Sequence, residues 1–151
     1  MSFPTSLARL APRLLATGGI VFYAAVVPVL AVNSTHVFNP AWGPHARLHE
    51  VWQLVANTSL GCFAAWHLWR RNDLRTASAI NFLVMGSFFV AYLLRHTYGG
   101  SMVLEGRGER TVLGMNIAVF GFGSALLCNL AALLLNRRAG KIDAITARRA
   151  E

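Results

Sequence analysis

Two histidines one helical turn apart, His45 and His49, stand among Arg47, Glu50, Trp52 and Gln53 in the stretch Asn39-Pro-Ala-Trp-Gly-Pro-His-Ala-Arg-Leu-His-Glu-Val-Trp-Gln. Imidazoles at this spacing can grip one metal ion, and Glu50 or His96 could complete its ligand set. Ala46 and Arg47 follow His45, so the H-E-x-x-H pattern of zinc proteases is absent. A haem iron needs only one neutral imidazole as axial ligand, and His49, a turn inside the helix, is better placed for that role than His45. No Cys-x-x-Cys-His occurs, which excludes covalent haem attachment of the usual kind. Nucleophile elbow, Walker loop and paired glycosidase-type carboxylates are also missing; Glu105, Gly106, Gly108 and Glu109 punctuate a loop.

The elements that would position these groups are helices. Pro44 suits a first helical position, so His45, His49 and Gln53 follow on one face with Trp52 and Ala56 beside them. Glu50 and Asn57 share a flank about 100° round from it. On the next apolar segment Asn81, Phe88, Tyr92, Arg95 and His96 fall within a sector of roughly 100°. Facing each other, the two stripes would enclose a polar pocket, with His45, His49, Glu50 and Gln53 on one wall and Tyr92, Arg95 and His96 on the other. The competing reading makes these groups interfacial residues at helix ends, with Glu50 pairing Arg47 or Arg95 to neutralise a buried charge. His67, beside Trp66 and Trp69, reads as an interface histidine.

Composition places these helices in a membrane. Of 151 residues 55% are apolar and 13% charged, about half the charged share of a soluble domain. Four windows are long and apolar enough to cross a bilayer: 14–32, 46–69, 77–94 and 112–135. The fold class expected is therefore all-α, an integral membrane four-helix bundle over residues 1–136 with a solvated basic tail at 137–151. Arg9, Arg13, Arg70, Arg71, Arg75, Arg137, Arg138, Lys141, Arg148 and Arg149 fall on one side, against Arg47, Arg95, Arg107 and Arg110 on the other. The positive-inside rule then puts both termini in the cytoplasm, as for a multi-pass protein of a bacterial inner membrane. The net charge of +8 reports this topology, and no basic stretch interleaved with aromatics points to nucleic acid. Gly18, Gly19 and Pro28 in the first span, and Gly114, Ala118, Gly121 and Ala125 in the last, are small or helix-bending residues at which helices can approach. Cys62 and Cys128 read as buried thiols.

The element Ala46-Arg47-Leu48-His49 at the opening of the second span, together with Tyr92 on the third, resembles the styrene oxide isomerases, small four-span bacterial membrane enzymes. The resemblance implies haem b ligated by His49, a substrate-positioning hydroxyl at Tyr92 and a homotrimer. The asparagine of that family lies six residues after its histidine, whereas Asn57 lies eight after His49, a turn of about 200°. The stretch from Asn39 to His49 also resembles that of uncharacterised bacterial four-span proteins with an Asn-Pro-x-Trp-x-Pro-His-Ala-Arg-x-His element.

The activity so implied is isomerisation of a lipophilic aryl epoxide to a carbonyl compound, with ring opening by a Lewis-acidic iron and a hydride shift. Trp52, Phe88 and Phe89 would supply water-excluding walls, and Asn57 a further polar contact. Two alternatives stand beside it: another four-span membrane enzyme using a bare metal ion or glutathione, and a non-catalytic lipid-binding or accessory subunit whose polar stripes hold helices together.

Overall fold

The computed structural model describes residues 4–103 and 108–150. Arg107, Glu105 and Gly106, assigned above to a loop, lie outside them. Four long helices make up the chain, and we number them in order. Helix α1 runs through Pro4–Val21, a π-helical turn Phe22–Val26 and Val27–Ala31; α2 is Pro44–Trp69, α3 Leu74–Leu94 and α4 Ile117–Ala150. A single 3₁₀ turn, Arg95–Thr97, ends α3. The fold is all-α apart from a minimal hairpin that pairs Thr111–Val112 with Met115–Asn116.

The π turn has a local cause. Pro28 has no N–H to give the carbonyl of Ala24 four residues back, and the Val27 N–H reaches back five residues to Phe22 instead. Thr58 of α2 then donates its hydroxyl to the orphaned Ala24 carbonyl at 2.9 Å, the kind of side-chain substitution that lets proline persist inside membrane helices. At this level α2 presents Gly61, where a Cβ would stand 2.2 Å from that of Ala24. The two backbones therefore meet only because residue 61 has no side chain.

Around this contact the helices close into a bundle. α1 packs along α4 and touches α2 and α3 as well, α2 and α3 form an antiparallel hairpin, and α3 returns along α4. The core is built from small side chains, Ala16, Ala64, Ala77, Ala125 and Ala132, with Ile20, Tyr23, Leu68 and Met85 filling between them. The outside is also apolar: Leu14, Val29, Leu30, Leu83, Leu93 and Leu127 are all exposed.

Three stretches, Arg9–Ala31, Leu74–Thr97 and Ile117–Arg148, are long and apolar enough to cross a membrane. Helix α2 is long enough at 26 residues, about 39 Å, but it is not among the three, and His45, Arg47, His49, Glu50, Gln53, Asn57 and His67 interrupt its apolar run.

Element boundaries depart from the expected ones at three places. α1 begins well before residue 14, because Pro4 suits a helix start and the residues after it include good helix formers. α4 begins at Ile117 and not at 112, because Leu113 and Gly114, at φ 51° and 77°, make the hairpin turn; Gly114 is thus a turn residue, and Asn116 caps the helix by accepting from the Ala118 N–H at 2.9 Å. The tail expected to be a solvated extension is the continuation of α4, since Ala, Arg, Lys and Ile carry helix propensity and no proline interrupts them.

Candidate functional site

Helix α2 has two unlike faces. Leu54, Gly61, Ala64 and Leu68 are buried, and the same stripe continued toward the start of the helix holds Asn57 and Glu50, both half-buried. His45, His49, Trp52 and Gln53 are exposed. The expected wall of His45, His49, Glu50 and Gln53 is therefore split, with the carboxylate on the stripe turned to the bundle and the imidazoles turned away from it. The small residues Gly61 and Ala64 decide this, because α2 must offer its thinnest face to α1.

The two imidazoles do come together. His49 Nε2 lies 3.1 Å from His45 Nε2, with the rings edge to face at 4.5 Å. The Trp52 ring lies 5.7 Å from His49 and is 65% exposed, as is its neighbour Leu48 at 63%. Pro44 stands in the first turn as expected, and Arg47 is tied to the loop by donating Nε–H to the Trp42 carbonyl at 3.2 Å. His49 shares its flank of α2 with His67, five turns on. His67 Nδ1 lies 3.4 Å from Asp73 at the start of α3, so this flank looks along the α2/α3 seam.

On α3 the stripe Asn81, Val84, Met85 is buried and leads through Phe88 to Tyr92 and Arg95. Tyr92 stacks on Phe88 with rings 6.4 Å apart and 11° from parallel. The Arg95 guanidinium sits 4.2 Å over the Tyr92 ring and donates to its carbonyl at 2.8 Å. His96 is exposed. Phe88 in turn stacks on Phe122 of α4 at 4.2 Å, and Phe122 meets Phe22 edge to face at 5.1 Å. An aromatic plug so fills the bundle below Tyr92. Gly121 makes room for the Phe22 ring, whose nearest atom would lie 2.6 Å from a Cβ there.

The geometry limits what this end of the molecule can hold. Among the described residues no three metal-ligating groups converge, so neither Glu50 nor His96 joins the imidazole pair. Nor, among them, does an ion pair link Glu50 to Arg47 or Arg95. His45 and His49 together offer two nitrogens to one ion. Released from its neighbour, His49 offers one exposed imidazole beside an apolar tryptophan wall, which is the donor a haem requires. The opposite wall of such a site would have to come from another molecule.

Sequence reasoning missed the best-ordered polar cluster. Tyr23 donates its hydroxyl to Asn81 Oδ1 at 3.2 Å. The Asn81 amide nitrogen donates to Asn129 Oδ1 at 3.1 Å and to the Ala16 carbonyl at 3.2 Å, and Asn129 donates to the Ser78 carbonyl at 3.1 Å. Tyr23, Asn81 and Asn129 are completely buried. Asn81, expected to line the pocket, is instead the hub that ties α1, α3 and α4 together. The signal was there in Asn129, a lone amide within an apolar run, since such a group needs a partner inside the bundle.

A family model matches residues 17–149, nearly the whole of the helical bundle. The chain belongs to the DUF6640 family, a family of unknown function. No curated protein and no solved structure matches it.

Proposed function

We propose that the chain crosses a bacterial inner membrane four times with both termini in the cytoplasm, and that the exposed face of α2 around His49 is its working surface. The crossing of α2 is supported by its length and by Trp66 and Trp69 at one end and Trp42 near the other, at the depths where indole rings gather. The observation that carries the functional reading is the pair of imidazoles 3.1 Å apart on an exposed face, flanked by Trp52 and Leu48. A solvated surface gains little by exposing such a set, and a ligand or a second copy of the chain would cover it.

On this reading His49 would hold haem b, Trp52 beside it would supply an apolar wall, and a neighbouring subunit of a homo-oligomer, a trimer by resemblance, would close the site. Bound there, the iron would supply Lewis-acid chemistry toward the oxygen of a lipophilic epoxide. The chain's own part is to keep water away and to orient the substrate. Arg95 and Phe88 flank the Tyr92 ring, and its hydroxyl would orient the substrate, with Asn57 and Glu50 on the half-buried stripe of α2 as further polar groups.

The absorption spectrum of the detergent-purified protein from haem-supplied cells, beside that of His49→Ala, tests this. A Soret band in the wild type that is lost or shifted in the variant is expected, followed by turnover of aryl epoxides that falls in Tyr92→Phe. A colourless wild type would overturn the haem reading.

A second reading, a non-catalytic lipid-binding or accessory subunit, is favoured by the Tyr23–Asn81–Asn129 network, whose polar groups satisfy one another with no ligand. It expects a colourless protein that tolerates His49→Ala.

A further inference from the structure

At the opposite end of the bundle from the histidines, where α1 begins and the α2–α3 turn lies, three helices enclose a polar cavity of about 300 Å³. Its lining includes Arg9 and Arg13 of α1, Asn72 and Asp73 of the turn, Arg75 of α3 and Asn136 of α4. We propose that this cavity binds a phosphate group, either the headgroup phosphate of an anionic phospholipid or a phosphate carried by a water-soluble molecule.

Three features converge on that chemistry. The first is charge: the guanidinium groups of Arg13 and Arg75 line the cavity with one carboxylate among the described residues, and that carboxylate is engaged elsewhere. Asp73 accepts from the Thr76 N–H at 3.0 Å as the cap of α3 and lies 3.4 Å from His67. The second is preorganisation. Arg13 donates to the side-chain oxygen of Asn72 and lies over the Trp69 ring at 5.6 Å, while the Trp69 indole N–H donates to Thr17 Oγ1 at 3.1 Å. One wall is thus tied together before any ligand arrives. The third is an open valence: Arg75 makes no hydrogen bond or ion pair among the described residues, so its fork of N–H donors is available to match phosphate oxygens. Gly140 of α4 completes the lining on the far side.

The place in the fold fits a headgroup. Trp66 and Trp69 lie at the same end, and basic pockets between membrane helices on the cytoplasmic side are where anionic headgroups are recognised. The site shares no residue with the α2 histidine face and stands or falls independently of haem.

The experiment uses the full chain in a neutral detergent, in two arms. In the lipid arm, equimolar phosphatidylglycerol and phosphatidylcholine of the same acyl chains are added and the retained lipid is read by native mass spectrometry. In the soluble arm, the unfolding midpoint is measured with inorganic phosphate against chloride at equal ionic strength. Arg75→Gln is the test variant, chosen because the side chain makes no hydrogen bond or ion pair among the described residues. Arg138→Gln, the same charge change outside the cavity, is the control.

A phosphatidylglycerol preference that falls about tenfold in Arg75→Gln, the factor one charge-assisted contact supplies, and survives Arg138→Gln supports the proposal with a lipid as the source. A midpoint raised by inorganic phosphate in the wild type and in Arg138→Gln but not in Arg75→Gln supports it with a soluble source. No preference in either arm, or an equal loss in both variants, overturns it.

Discussion

The middle of the bundle and its histidine-bearing end use the same kinds of side chain to opposite effect. In the middle, Tyr23, Asn81 and Asn129 are fully buried and each finds a partner. At the end, His45, His49 and Gln53 are exposed and, among the described residues, the two imidazoles hydrogen-bond only to one another. The difference separates polarity that holds helices together from polarity that does not. In hydrocarbon an amide without a partner is costly, so a closed network fixes which faces of α1, α3 and α4 meet. An imidazole pair outside the packed faces fixes no such meeting of helices.

This contrast can be broken most severely at Asn81. Asn81→Ala strips a partner from the Tyr23 hydroxyl and from Asn129 at once, and should cost about 1–3 kcal/mol for each group left unsatisfied, read as a lowered unfolding midpoint in detergent. Gly61→Ala comes next: the added methyl must push α2 off the π turn, and overpacking of this kind costs about 1–3 kcal/mol. The same measurement checks it, and an unchanged midpoint would mean that the two helices separate freely there.

A smaller effect belongs to Asp73. Its hydrogen bonds from the Thr76 hydroxyl and N–H, and then the neighbouring His67, hold its carboxyl below the ordinary carboxylate range. A carboxyl whose pKa is lowered by folding binds protons more readily when unfolded, so its stabilisation is complete above the unfolded value and is lost as pH falls through the folded one. Acid titration of the wild type should therefore show a destabilising component in that window that Asp73→Asn lacks. The smallest effect is expected at the open end: His45→Ala and His49→Ala should leave the unfolding midpoint of ligand-free protein within about 0.5 kcal/mol of the wild type, the range of ordinary surface substitutions. A large loss there would show that the imidazoles belong to the scaffold and erase the contrast.

Much of the architecture is legible in the sequence. Pro44 marks the start of α2, the apolar windows mark the other long helices, and the i, i+4 histidines are found side by side as their spacing requires. The inward faces are harder to read, because a lipid-facing surface is as apolar as a core and hydrophobic periodicity loses its contrast. For α2 the usable signal is size: Gly61 and Ala64 mark the buried stripe, and extending it by helical steps places Asn57 and Glu50 on it and the histidines off it. Three features were beyond such reading. Pro28 marks the break in α1, but the repair of the Ala24 carbonyl by Thr58 depends on the meeting of α1 and α2, the late start of α4 on a Leu113–Gly114 turn, and the partnering of Asn81 with Asn129 on a tertiary meeting of α3 and α4.

The π turn at Phe22–Val26 also makes α1 a helix with one residue more than its path needs. Deleting a single residue from it would restore a regular α-helix with both halves on their present faces, because the wide turn already absorbs the roughly 100° that one extra residue would otherwise add. Ala16 and Gly19 would then still face Asn81 while Ala31 kept its place. The chain length between Pro12 and Pro28 is therefore variable by one residue at this turn, and homologous sequences one residue shorter there should put their gap at it.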